Sequence, residues 1–311
     1  MSCANLGRVL PRARGPPSSV DRFFLPACDR NGCAGFNDPL AKGFAMKEFS
    51  SKCKPTRPVL RYHGGKWRIA PWIISFFPHH ERYVEPFGGA ASVLLRKTPC
   101  NHEVYNDLDD ELVNLFQVLR EKGKRLTEQI RLTPFSRKEF DNCFLPGGDS
   151  IERARKAIFR SMAGYGTAGF NHKTGFSVAA KTRTGGRSHE WINFVDAIPA
   201  IVDRLKPVII EHRPAIDVMK YHDSEVTLHY VDPPYLMSTR DAGTDYKHEL
   251  NDEQHVELAE CLHSLKGHVL VSGYSSPLYD RLFKGWSSHE IKTRAQSLAP
   301  RLERLWIKPR S

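Results

Sequence analysis

A chain of 311 residues suits one large domain or two modest ones and can bury a sizeable core. No apolar run approaches the ~18–20 residues of a membrane span, which excludes a helical membrane protein. The formal net charge of +11 points to a polyanionic partner, nucleic acid before membrane surface, though a basic soluble protein without such a partner would show the same balance.

Residues 1–57 are rich in Pro, Gly and Arg and show no hydrophobic period, so an irregular or disordered N-terminal extension is expected there. Arg8, Arg12 and Arg14 without an acid weakly mimic a transit peptide. The expectation is instead that Met46 is the natural start and the upstream stretch an appendage.

Ordered patterning begins near "VLRYHGGKW" (59–67). "ERYVEPFGGAASVLLRK" (81–97) reads as strand, glycine turn and helix. "HEVYND" (102–107) reads as a short strand ending in an acid. In "DDELVNLFQVLREKG" (109–123), Leu112, Leu115, Phe116 and Leu119 share a helical face, the acids sit at the N-terminal end, and Gly123 is the expected stop. A less regular segment, 124–205, starts with helices. "PVIIEHR" (207–213) and "EVTLHYVDPPY" (225–235) read as strands. "NDEQHVELAECLHSLKG" (251–267) reads as a helix with Asn251 as N-cap, Gln254 completing a capping box and Gly267 at the far end. "HVLVSGY" (268–274) has the look of a buried strand. Strands alternating with helices predict an α/β fold with a mostly parallel, doubly wound sheet. The expected organisation is a catalytic domain over 58–123 and 206–311, interrupted by an insertion at 124–205.

The cysteines, Cys3, Cys28, Cys33, Cys53, Cys100, Cys143 and Cys261, are scattered and odd in number. No C-x-x-C pair or Cys/His cluster has zinc spacing, so a reduced, cytoplasmic protein without a metal is expected.

Chemistry enters at the glycine turn. After the strand "YVE", Gly88 and Gly89 let the backbone approach a nucleotide-like ligand. A plain strand–helix turn gives the same pattern, and this is not the G-x-G-x-x-G fingerprint. Asp107 adds weight: it stands about 20 residues on, at the end of the next strand, where ribose hydroxyls are held. The loop lacks a phosphate-cradle lysine and Ser/Thr, which fits a ribosyl ligand without phosphates. S-adenosylmethionine is such a ligand, and Glu85 at the strand tip suits its cationic end. Lys66 in "YHGGK" could pair with the methionine carboxylate or with an acid of the site.

"HYVDPPYLMS" (229–238) places Asp232, Pro233, Pro234 and Tyr235 at the end of a strand. An exocyclic amine of a base is a poor nucleophile because its lone pair is delocalised into the ring. Acceptors for its hydrogens free that lone pair. Asp232 is one acceptor and the Pro233 carbonyl a second, with the prolines turning carbonyls rather than N–H groups to the site. Tyr235 is expected to offer a stacking face to a base turned out of the helix. A sulfonium methyl in line with the nitrogen then permits direct transfer, with positioning and electrostatics as the catalytic means.

These motifs, in this order, resemble the Dam-type family of DNA adenine-N6 methyltransferases. "RYHGGK", "VEPFGGAAS", "YNDLDDELVNLF", "YVDPPY", "VLVSGY" and "PRLERLWIKP" carry the resemblance, over about residues 58–309. It implies a class I methyltransferase that uses S-adenosylmethionine, releases S-adenosylhomocysteine, and acts on duplex DNA. By position it implies cofactor contacts from Tyr62, Gly65 and Lys66, a border of Glu85, Pro86, Phe87, Gly88 and Gly89, and a ribose hold by Asp107, with Asp232 near the methionine end. Arg61 falls where the family often turns a basic residue to DNA. Ala91 departs from the pattern, since many members carry a second glycine there.

The insertion is the expected target-recognition segment. Residues 151–187 carry Arg153, Arg155, Lys156, Arg160, Lys173, Lys181, Arg183 and Arg187 against the single acid Glu152, with Tyr165, Phe170 and Phe176 interleaved. Such a stretch supplies phosphate affinity. Lys173, Lys181, Arg183 and Arg187 are the expected DNA contacts, the last three on a loop ordered by DNA. A cytosine-N4 methyltransferase, a methyltransferase of protein glutamine and a catalytically silent DNA-binding regulator are the competing readings. Retention of Lys66, Asp107, Asp232 and Tyr235 together argues against the regulator. A monomer without membrane association, with a cognate restriction endonuclease as a possible companion, completes the expectation.

Overall fold

Period-two patterning and burial of both strand faces define the centre of the molecule. The computed structural model describes residues 54–178, 186–240, 246–294 and 300–310. After a short helix α1 (Ala70–Ile74) come β1 (Arg82–Glu85), β2 (His102–Asn106), β3 (Val208–Glu211), β4 (Thr227–Val231), β5 (His268–Gly273), β6 (Ser287–Arg294) and β7 (Pro300–Ile307). They form one seven-stranded sheet in the order β3–β2–β1–β4–β5–β7–β6. β1 through β5 pair in parallel, while β7 runs antiparallel to both β5 and β6. The chain moves outward from β1 to β3, then returns to lay β4 beside β1. That reversal opens a crevice at the carboxyl ends of β1 and β4, where ligands bind in open α/β sheets.

Alternate residues feed the two faces. Leu228, Tyr230 and Leu270 join one core with α2 (Asp110–Leu132), α4 (Ser150–Ala163) and α6 (Ile198–Leu205). Val231, Val269 and Val271 join a second with α7 (Ala215–His222), α8 (Asp252–Ser264) and α9 (Pro277–Leu282). The two short helices α3 (Arg137–Asn142) and α5 (Gly186–Phe194) complete the segment between β2 and β3. Phe159 meets Phe135 at 5.7 Å and Trp191 at 4.8 Å between ring centres, so this segment extends the first core with an aromatic cluster.

The doubly wound α/β architecture is the one read from the sequence, but three local expectations change. α2 is two helical stretches meeting at a kink: Lys122 leaves helical backbone (φ −126°, ψ 23°) just before Gly123, where the stop was expected, and helix resumes to Leu132. A Cβ at Gly123 would lie 2.5 Å from Val202 Cγ2, so this glycine also admits α6. No regular helix follows the glycine turn either: residues 89–97 form a series of turns. Ala91 there has φ +52°, a left-handed conformation that interrupts helical backbone. Finally, α8 ends at Ser264, and Gly267 instead gives its N–H to Asp223 Oδ1 at 3.0 Å as the chain enters β5. The Asn251–Gln254 capping box is present as expected. Among the described residues no helix is long and apolar enough to cross a membrane.

Candidate active site

The crevice holds a cavity of about 400 Å³, within the ~300–1,000 Å³ of small-molecule sites. Tyr62, Gly65, Lys66, Glu85, Pro86, Phe87, Gly88, Gly89, Asp107 and Asp232 all line it, so the sheet gathers every expected cofactor residue in one place. Pro234 lines it too, while Pro233 and Tyr235 lie buried beside it.

Each acid is placed by a strand end. Asp107 follows β2 and accepts the Gly89 N–H at Oδ2 (2.8 Å) and the Asp109 N–H at Oδ1 (2.9 Å). Burial pushes its carboxyl up to about 6 against those two donors. Gly88 must be glycine, because a Cβ would sit 2.1 Å from Tyr105 Cε2. Glu85 closes β1. Its Oε2 accepts the Tyr83 hydroxyl at 2.7 Å and the Leu94 N–H at 3.0 Å, and burial still drives its carboxyl to about 8. An acid at the tip of the second strand, a turn without a side chain and an apolar wall that includes Phe87 and Val93 fit a ribosyl ligand such as S-adenosylmethionine.

β4 delivers the tetrapeptide Asp232–Tyr235. Lys66 places its ammonium 2.9 Å from Asp232 Oδ2, 3.3 Å from Glu303 Oε1 and 2.7 Å from the Gly64 carbonyl. Lys66 thus engages a site acid, one of the partners expected for it, and all three ammonium hydrogens have acceptors. Burial would lower the lysine pKa, but the two carboxylates outweigh it and hold it well above the ordinary value. Asp232 is raised by burial, with Lys66 opposing and Glu303 adding to the rise.

Tyr235 differs from expectation. It is 8% exposed, with Lys66 Nζ 4.9 Å over its ring and Tyr274 edge-on at 4.6 Å. The ring is not open for stacking as it stands. Its hydroxyl explains the inward pose: it donates to Glu303 Oε1 and stands 3.2 Å from Asp232 Oδ1.

Glu303 was missed in the sequence. On β7 it lies on the same face as Leu305, which is buried in the core, and is itself 5% exposed. An acid on the apolar face of a strand is the signal that could have found it. Past the tetrapeptide, Tyr246, Lys247, His248 and Glu249 also line the cavity. Arg240 pins that stretch, bonding both Glu249 oxygens at 2.8 Å.

The expected DNA contacts are scattered. Arg61 and Arg187 both pair with Glu190, the latter at 3.2 Å, and Arg57 donates to the Glu190 carbonyl. Lys173 pairs instead with Asp141 at 3.2 Å. Lys181 and Arg183 lie outside the described residues. Two arginines of the basic stretch are structural instead. Arg155 is buried on Glu139 and Glu152, and Arg160 is buried on Glu111 and the Phe170 carbonyl.

The sheet order, with a ligand cavity at its switch point and an acid-prolyl-prolyl-tyrosine tetrapeptide on its rim, defines a class I methyltransferase fold. The model of the D12 class N6 adenine-specific DNA methyltransferases matches residues 62–296, and the chain belongs to that family of transferases. It is 26% identical over 254 residues to a type II methyltransferase of Lactococcus lactis subsp. cremoris, covering 76% of this chain and 87% of that protein. It is 26% identical over 259 residues to a DNA adenine methylase of Salmonella typhi (78% and 89%). A type II methyltransferase of Methanocaldococcus jannaschii is 24% identical over 271 residues (76% and 90%). Methyltransferases of this kind use S-adenosylmethionine.

Proposed function

We propose that the chain methylates the N6 amine of adenine in duplex DNA, on a base turned out of the helix into the crevice. The observation that carries this is the meeting of Asp232, at the end of β4, with the cavity of Glu85, Asp107 and Lys66. When bound, S-adenosylmethionine supplies an electrophilic methyl group. Asp107 and the Gly88–Gly89 turn would hold its ribose, and Glu85 would face its cationic end. Asp232 and the Pro233 carbonyl accept the amine hydrogens and draw the nitrogen lone pair out of conjugation. Lys66 fixes the Asp232 carboxylate. Tyr235 orders the tetrapeptide rather than stacking. Residues 58–123 with 206–311 form the catalytic part in this reading, and 124–205 the target-recognition part. Arg61 and Arg187 exchange Glu190 for DNA phosphates, joined by Lys181 and Arg183. The protein acts in the cytoplasm, as a monomer.

The test is transfer of a labelled methyl group to unmethylated duplex DNA, with the modified base identified after digestion. N6-methyladenine is expected from the wild type, and Asp232→Ala should lose at least ~100-fold in rate while still binding DNA. N4-methylcytosine would support the cytosine reading. DNA binding without transfer to any sequence would support a silent regulator.

A further inference from the structure

Glu303 lies beyond the stretch matched by the family model, yet it touches two members of the catalytic cluster. Tyr235 has one hydroxyl hydrogen and two acceptors within reach, Asp232 Oδ1 at 3.2 Å and the nearer Glu303 Oε1. Lys66 already occupies Asp232 Oδ2 at 2.9 Å. Asp232 Oδ1 is therefore the oxygen left for an incoming amine. Were Glu303 not there, the phenol would donate to that oxygen and compete with the substrate. Glu303 also shares the lysine charge, so Lys66 does not fully neutralise Asp232.

We propose that Glu303 is a positioning residue: it captures the Tyr235 hydroxyl and part of Lys66, and so keeps Asp232 Oδ1 an open, strongly negative acceptor for the target amine. This rests on the adenine-N6 reading above. It makes an unusual demand: damage done by removing Glu303 is repaired by removing the Tyr235 hydroxyl.

The experiment compares wild type, Glu303→Ala, Glu303→Gln, Tyr235→Phe and the Glu303→Ala/Tyr235→Phe double variant. Single-turnover methyl transfer to duplex DNA is measured with cofactor affinity and Tm. Glu303→Ala should slow transfer at least ~10-fold with cofactor affinity within about twofold. Tyr235→Phe in that background should recover most of the loss, and Glu303→Gln, whose amide oxygen still accepts the hydroxyl, should be the milder single change. The acid limb of the Glu303→Gln rate profile should move to lower pH, because Asp232 loses a like-charged neighbour. A double variant as slow as Glu303→Ala, or an unmoved acid limb, overturns the proposal. If Glu303→Ala does not fold, the Glu303→Gln profile decides alone. A wild type that modifies no adenine overturns the underlying reading, and is distinguished by that control.

Discussion

Glu85→Gln should stabilise the cofactor-free protein, and by an amount that grows with pH. Burial raises the Glu85 carboxyl from its ordinary 4.5 to about 8. At about 1.4 kcal/mol per pH unit, full ionisation in the fold costs ~5 kcal/mol. The folded pKa lies above the unfolded one, so the fold favours the protonated acid. Stability is therefore fully present below pH 4.5 and is lost as pH rises through 8. Glutamine does not ionise, and its carbonyl oxygen can still accept the Tyr83 hydroxyl and the Leu94 N–H. Urea unfolding at a series of pH values checks this. The variant should lie within ~1 kcal/mol of wild type at pH 5 and ~4 kcal/mol above it at pH 8. A difference that does not change with pH, or a less stable variant at pH 8, would refute the reasoning.

Ala91→Gly should raise stability by a few tenths to ~1 kcal/mol. The left-handed conformation costs alanine about 1–2 kcal/mol, and loss of one buried methyl gives back about 0.8 kcal/mol. A fall in Tm would show that Ala91 packing outweighs its backbone strain. Arg155→Met should cost ~2–4 kcal/mol of stability and leave the salt slope of DNA binding unchanged, since its guanidinium is spent on Glu139 and Glu152. Arg187→Ala should cost under ~1 kcal/mol and reduce that slope by about one, read by titration across salt concentrations. The opposite pattern would place Arg155, not Arg187, on DNA.

Where a feature is local, the sequence showed it. The glycine turn, the acid at the end of β2, the capping box of α8 and the prolines at the end of β4 each follow from a few adjacent residues. What stayed hidden depends on partners far along the chain. Arg153, Arg160 and Lys173 looked like a basic face because residues 151–187 hold one acid, but Asp110, Glu111 and Asp141 reach them from other helices. Gly123 read only as a helix stop, because Val202, which needs its space, lies on α6. Glu303 lies within the closing-strand motif "PRLERLWIKP", but the motif assigned it no role, since its partners Lys66 and Tyr235 lie far along the chain.

Acids outnumber cations around the cavity, although the chain as a whole is basic. The chain carries +11 overall, yet its cavity is walled by Glu85, Asp107 and Asp232, with Glu303 behind them sharing Lys66. Burial alone would favour neutral acids, and the raised carboxyls of Glu85 and Asp107 show that pressure. An incoming ligand with a cationic centre relieves it, because its charge stabilises the ionised acids that burial disfavours. Outside the cavity Arg61 and Arg187 share Glu190, the counter-ion that DNA phosphates would displace on the proposed reading. On the proposed reading the cavity would take the cationic cofactor and these arginines the polyanion. On that reading Asp232 would ionise beside the cofactor and accept hydrogens from the target amine, with Lys66 held between it and Glu303.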